Sequence, residues 1–116
     1  NGKLSACPDK PNCVVSHNYD EQHLIEALSY SSKFPAAYKK LLDSIAQMPG
    51  SKVITKSERY IHAEFTSRIM RYIDDVEFHF SEESKRIELR SASRLGYSDM
   101  GVNRERMETL RGIFEQ

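Results

Sequence analysis

Strict alternation of apolar and polar residues between positions 60 and 93 constrains the fold more than any other feature of this sequence. Ile61, Ala63 and Phe65, for example, alternate with polar neighbours. Such alternation is typical of strands with one buried and one solvated face, which favours an antiparallel sheet joined by hairpins. The alternation predicts strands over Tyr60–Ser67, Asp75–Phe80 and Arg86–Ser93. A short β-branched segment just before this region predicts a further strand over Lys52–Ser57.

Two segments outside this region have helical periodicity. A helix is predicted over about Pro35–Gln47, because Pro35 suits a first helical position and Pro49-Gly50 ends the pattern. A second helix is predicted from about Asn103. Each segment carries an apolar stripe on one face. The stripes consist of Phe34, Tyr38, Leu41, Leu42 and Ile45 in the first helix and of Met107, Leu110 and Phe114 in the second.

These elements predict one α+β domain that spans residues 1–116. Two amphipathic helices with one apolar sheet face to cover give two layers: an antiparallel sheet of about four strands, with both helices on one face. Residues 1–23 contain turn formers without a sustained period, so we expect an irregular N-terminal arm before an α+β core of residues 24–116. The segment Leu24–Tyr30 is expected to be a short strand or an extended lead-in.

Charge and hydropathy exclude some functions. The 116 residues include 17 Lys and Arg and 17 Asp and Glu, without a basic block, so we do not expect a nucleic-acid partner. No apolar run approaches the ~20 residues of a membrane-spanning helix. Because the chain begins at Asn1 rather than Met, we expect that an upstream segment has been removed or left out.

Two cysteines near the N-terminus admit several interpretations. Cys7 and Cys13 enclose Pro8 and Pro11, which restrict the backbone and favour a disulfide across a short loop. A disulfide indicates an oxidising compartment, so we expect a periplasmic or otherwise exported protein. Zinc bound with the help of His17 and His23, a lipid on Cys7 within Leu4-Ser-Ala-Cys, and two free thiols are the alternatives.

The passage from Arg90 to Arg106 joins the last predicted strand to the last helix and is the first candidate site. Arginine side chains, glycines and a helix start favour binding of an anion such as a carboxylate, phosphate or lipid head group. The alternative is that these residues have a structural role. In that case Arg94 pairs with Asp99, Asn103 caps the helix, and the glycines allow tight turns. The candidate ligand-binding residues are Arg90, Ser91, Ser93, Arg94, Gly96, Tyr97, Asp99, Gly101, Asn103, Arg104 and Arg106.

The same passage resembles the Domain of Unknown Function 1499 family. The resemblance rests mainly on Ser91, Ser93, Arg94, Gly96, Tyr97, Asp99, Gly101, Asn103 and Arg106. The segments Cys7–Ser16 and Asp74–Phe78 extend it over nearly the whole chain, and Val15 departs from it where the family pattern has a serine. The family has no established activity, so the resemblance implies a fold and a set of residues rather than a reaction.

The polar face of the predicted sheet is the second candidate site. The alternation places His62, Glu64, Asp75, Glu77, His79, Glu88 and Arg90 on one side. His62, Asp75, Glu77 and His79 could bind zinc or manganese, or transfer protons. A solvated face with cross-strand charge pairs has the same pattern in a sequence.

From these observations we expect a non-catalytic cell-envelope domain without a cofactor or resident metal. It would bind an anionic small molecule, a lipid or a protein partner through the Arg90–Arg106 loop. The alternative is a metal-assisted hydrolase that uses the polar sheet face. A structural role in a larger assembly would instead use an apolar patch around Ile69, Met70 and Ile73.

Overall fold

The sheet supplies the framework that positions the candidate sites. The structure is a computed structural model that describes residues 4–8, 13–16, 23–67, 71–94 and 100–116. Its elements are β1 (Cys13–Val15), β2 (Leu28–Ser29), α1 (Phe34–Ala46), β3 (Ser51–Ser57), β4 (Tyr60–Thr66), β5 (Ile73–Ser81), β6 (Arg86–Ser93) and α2 (Met100–Phe114). The strands form one antiparallel sheet in the order β1-β6-β5-β4-β3, and β2 also pairs with β6.

The register of the sheet creates the two faces that the alternation predicts. On the helix side, Ala63 lies opposite Val76, and Val76 lies opposite Ser91. On the other side, His62 lies opposite Glu77, and Glu77 lies opposite Arg90. The predicted grouping of the polar residues on one face is therefore confirmed.

The core lies between the sheet and both helices. Leu41 and Ile45 of α1 and Met107 and Leu110 of α2 are fully buried in the same cluster as the sheet residues. The α+β class and the two amphipathic helices are confirmed. None of the helices in the described part of the chain is long and apolar enough to span a membrane.

The N-terminal arm differs from the prediction, because part of it is a strand. Cys13–Val15 pairs with Ala92–Arg90 of β6, and Leu28–Ser29 pairs with Ile87–Arg86 further along the same strand. The sheet therefore has six strands rather than about four. All of β1 is buried, so it lacks the alternation by which the longer strands were predicted.

The start of the last helix also differs from the prediction. α2 begins at Met100, which places Gly101 and Asn103 inside its first turn. Asn103 is therefore not the helix cap, and Gly101 does not form a tight turn. Glycine is a poor helix former, so this first turn was not recognised from the sequence.

The predicted disulfide between Cys7 and Cys13 is confirmed. It fixes residues 4–8 to β1, and Leu4 is buried. Since both sulfur atoms are in this bond, neither is available to zinc or to a lipid. His17, the other proposed zinc ligand of the arm beside His23, lies outside the described residues.

Candidate functional site

The residues predicted to form one site around Arg90–Arg106 are divided between the two faces of the sheet. Ser91 and Ser93 point to the helix side, whereas Arg90 and Arg94 lie with the polar face. Gly96, Tyr97 and Asp99 lie outside the described residues, and so does the proposed pairing of Asp99 with Arg94. The remaining members, Gly101, Asn103, Arg104 and Arg106, belong to α2.

A buried hydrogen bond joins the first turn of α2 to the sheet. The Ser91 hydroxyl donates to Oδ1 of Asn103 at 2.6 Å, and both residues are fully buried. A buried polar group without a partner costs about 1–3 kcal/mol, so this bond fixes where the helix meets β6. These two predicted ligand-binding residues therefore contribute to the docking of the helix.

An ion pair attaches the next turn of α2 to the neighbouring strand. Arg106 donates to the Asp74 carboxylate, and their side chains are only 15% and 7% exposed. The same guanidinium lies over the ring of Phe65, 5.3 Å from its centroid. Arg106 is thus held by a carboxylate and an aromatic face beneath the helix.

On the opposite face of the sheet, Arg94 bridges two carboxylates. It donates to Glu64 at 2.6 Å and to both oxygens of Asp75 at 2.8 and 3.0 Å. Hydrogen bonds from Arg94 lower the pKa of Asp75; burial opposes this effect, and a hydrogen bond from His62 adds to it. The Arg94 guanidinium is therefore neutralised by two acidic side chains.

The proposed metal-binding residues lie on this face in separate contacts. His62 Nε2 is 2.9 Å from Oδ1 of Asp75, whereas Glu77 accepts a 2.6 Å hydrogen bond from the Tyr60 hydroxyl. Burial raises the pKa of Tyr60, and the hydrogen bond to Glu77 adds to the effect. Within the described ranges, no group of three or more His, Cys, Asp or Glu side chains is arranged to hold a metal ion.

Arg90 lies where the N-terminal arm meets the polar face. One of its terminal nitrogens is 3.6 Å from the Glu77 carboxylate, and the other donates to the carbonyl of Ala6 at 3.5 Å. Its Nε is buried without a hydrogen-bond partner among the described residues. Arg90 therefore connects β6 to the arm next to Cys7.

Two arginines of α2 hold the extended segment that precedes β2. Arg104 donates to the carbonyl of Leu24 at 2.7 Å, and Arg111 donates to the carbonyl of Ala27 at 3.1 Å. The two arginines are seven positions apart in the sequence, so they share a helix face. Sequence reasoning included Arg104 in the candidate site and missed Arg111, although their spacing would have related them.

A groove at one end of the molecule was not predicted from the sequence. Its volume is about 680 Å³, within the range of about 300–1,000 Å³ that is usual for small-molecule sites. One wall is a single face of α2, and the other consists of the turn after α1 and the end of β4 with its following hairpin. The lining residues are Met48, Pro49, Gly50, Thr66, Ser67, Arg71, Val102, Glu105, Arg106 and Thr109.

Gly50 allows the two strand ends beneath this groove to lie close together. Its φ is +76°, and a Cβ atom built there would lie 2.3 Å from the Thr66 carbonyl oxygen. The Thr66 amide in turn donates to the Gly50 carbonyl at 2.9 Å. Any other residue at position 50 would force the turn away from β4.

Arg71 lies on the hairpin wall of the groove. Ser67 and Tyr72 close the hairpin through two 2.8 Å hydrogen bonds, and Arg71 adopts a left-handed conformation with φ of 61°. Lys85 has the equivalent conformation in the next hairpin, but its ammonium group donates to the carbonyls of Ser31 and Ser32. Arg71 has no ion pair or hydrogen bond to the described part of the chain.

The fold and these sites define a two-layer α+β domain with a disulfide-pinned arm and a groove between its last helix and its central hairpin. The chain belongs to the family described as "Protein of unknown function (DUF1499)", whose profile matches residues 3–114. The resemblance seen in the sequence is thereby confirmed. The curated proteins include no match to this chain.

Proposed function

We propose that the protein is a non-catalytic binding domain of the cell envelope, and that an anionic, lipid-like ligand occupies the groove beside α2. The observation that carries this proposal is the arginine distribution. Of the arginines in the described ranges, Arg71 alone lacks a protein partner, and it lines the groove. Val102, Glu105 and Arg106 bring the end of the Arg90–Arg106 passage into the opposite wall of the same groove.

The groove offers an apolar surface as well as a cation. Met48 and Pro49 form part of one wall, and Val102, which is 50% exposed, lies on the other. Exposed apolar surface next to a charged group suits a ligand with an apolar body and a polar end. A small hydrophilic anion would leave this apolar surface in water.

The other arginines of the predicted site support this placement by being engaged elsewhere. Arg94 is neutralised by Glu64 and Asp75, and Arg106 is paired with Asp74. An anionic ligand at Arg94 or Arg106 would have to compete with the carboxylates that already bind these arginines. An anion at Arg71 faces no such competition from the described residues.

The polar sheet face supports a binding role better than a catalytic one. Asp75 and Glu77 already accept hydrogen bonds from neighbouring side chains, including His62 and Tyr60. A proton-transfer group needs a reacting partner within hydrogen-bond reach, and these oxygens are occupied by the fold itself. The Cys7–Cys13 disulfide supports the envelope placement.

Native mass spectrometry of the protein isolated from its own cells tests the proposal. We expect a bound species that is lost on denaturation, and a chain mass two hydrogens below that of the reduced form. Val102→Asp should emerge without the ligand, because a carboxylate in the apolar wall opposes an apolar chain and an anion. Val102 is exposed in the first turn of α2, where an acidic residue is well tolerated.

Ile54→Asp is the matched control, because Ile54 is 42% exposed on β3 and does not line the groove. This variant should retain the ligand. A bare wild-type chain, or a ligand held equally by Val102→Asp, would overturn the proposal. Free thiols in the isolated protein would overturn the envelope placement.

A further inference from the structure

We infer that the ligand of the groove is a single-chain amphiphile with one anionic head group, which binds Arg71, while the chain lies against the apolar part of the lining. This inference rests on the function proposed above and specifies its ligand class. It combines the size of the groove with the arrangement of charges along its two walls.

The size of the groove suits a ligand with one chain. A volume of about 680 Å³ holds roughly 20 groups the size of a water molecule, each of which occupies about 30 Å³. A methylene group has a similar size, so one alkyl chain with a compact head fills the groove. A phospholipid with two chains is considerably larger and would leave one chain in water.

The charges of the described residues favour a single anionic head group on the hairpin side of the groove. Arg71 lies on the hairpin and is the cation without a partner among the described residues of the groove, whereas Arg106 is already paired with Asp74. Glu105 lies on the α2 wall and opposes an anion there. The planar guanidinium of Arg71 can donate two parallel hydrogen bonds to a carboxylate or to one face of a phosphate ester.

The apolar lining indicates where the alkyl chain lies. Val102, Glu105, Arg106 and Thr109 follow one another on one helix face, with Val102 at its N-terminal end. Val102 on the α2 wall and Met48 and Pro49 on the opposite wall supply the apolar lining, so we place the alkyl chain between them. The head group then occupies the space beside Ser67 and Arg71 at the hairpin.

The test measures binding of decanoate, decanol and acetate by isothermal titration calorimetry, below the concentration at which decanoate forms micelles. We expect decanoate to bind, decanol to bind at least tenfold more weakly, and acetate not to bind. Arg71→Gln should weaken decanoate about tenfold or more and leave decanol unchanged, because it removes a charge-assisted hydrogen bond. Decyl phosphate, tested in parallel, distinguishes a phosphate from a carboxylate head group.

Matched controls separate the head group from the chain. Lys56→Gln removes an exposed cation from β3 and should change neither the affinity for decanoate nor the affinity for decanol. Val102→Thr keeps the shape of the side chain, removes apolar surface from the groove, and should weaken decanoate and decanol alike. Ile54→Thr makes the same kind of change outside the groove and should have no effect.

The outcomes distinguish this inference from the proposed function. Equal binding of decanol and decanoate, or an Arg71→Gln variant that binds decanoate normally, would overturn the inference. So would a two-chain species, or one with more than one anionic group, in the native mass spectrum, which would leave the binding function intact. A bare chain in that spectrum and no binding of decanoate would overturn both.

Discussion

Replacing Arg106 with methionine should destabilise the protein far more than an ordinary surface substitution. The change leaves the Asp74 carboxylate, only 7% exposed, without the guanidinium that now neutralises it. Breaking a buried ion pair by removal of one partner costs about 3–5 kcal/mol. Methionine still packs against the Phe65 ring, so the cost measures the stranded charge more than lost packing.

The size of this effect makes it easy to measure. A domain of this length is stable by about 5–15 kcal/mol, so the variant loses a large share of its free energy of unfolding. Its melting temperature should fall by roughly 10–20 °C. Because the chain contains no tryptophan, we would follow urea unfolding by far-ultraviolet circular dichroism.

Two further variants make the interpretation refutable. Asp74→Leu combined with Arg106→Met removes both charges and should recover most of the lost stability, since an apolar pair of similar volume commonly replaces a buried ion pair without loss. Lys39→Met breaks the exposed pair of Lys39 with Asp43 and should cost less than about 1 kcal/mol. If Arg106→Met costs no more than Lys39→Met, or if the double variant is as unstable as the single one, the reasoning is wrong.

Three other perturbations have expected outcomes. Gly50→Ala should lower the free energy of unfolding by more than about 1 kcal/mol, because position 50 has a positive φ and a Cβ there would clash with the backbone. Gly112→Ala should raise it by up to about 1 kcal/mol, because a Cβ at this position in α2 meets open space. Equal effects of the two substitutions in urea unfolding would contradict this reasoning. Replacing Cys7 and Cys13 together with alanine should cost about 2 kcal/mol by the loop-closure argument, and reduction of the wild type should give the same loss. Burial lowers the pKa of His79, so below pH 6.5 the unfolded chain binds the proton more readily than the folded chain does, and the free energy of unfolding decreases as the pH is lowered. His79→Gln should therefore flatten the dependence of the unfolding free energy on pH between pH 7 and 5. An unchanged slope would refute the assignment.

The fold was largely predictable where a period was present. The alternation around Val76, Phe78 and Phe80 is long enough to define both a strand and its buried face. The three residues of β1 show no alternation, because Val14 faces the helices while Cys13 and Val15 are covered on the opposite side. A short strand buried on both faces has no periodic signature, so it was missed.

The contacts of the candidate residues depend on register, which the sequence does not specify. Alternation placed His62 and Asp75 on one face, but their 2.9 Å contact requires the pairing of β4 with β5 that sets Glu64 opposite Asp75. Arg94 joins them only because β6 pairs with the other edge of β5. The groove is lined by segments that lie far apart in the sequence. No local sequence pattern connects these segments, so the groove could not be predicted.

The two halves of α2 contact the sheet by different means, and this explains why the most polar part of the sequence carries structural contacts. Met107, Leu110 and Phe114 bury the C-terminal half in the core. The N-terminal half docks through Asn103 and Arg106, which require particular partners at particular positions. Directional polar contacts specify one seating of the helix where apolar packing alone would permit several.

This division has a consequence for ligand binding. The seating of the N-terminal half of α2 sets the width of the groove, because Val102 and Glu105 stand on the same turns as Asn103 and Arg106. The Ser91–Asn103 bond and the Asp74–Arg106 pair therefore position one wall of the groove. Arg71, on the opposite wall, is left free of protein partners among the described residues and is available to the proposed ligand. In the proposed binding mode, the arginines near the last strand stabilise the fold, and the arginine on the hairpin binds the ligand.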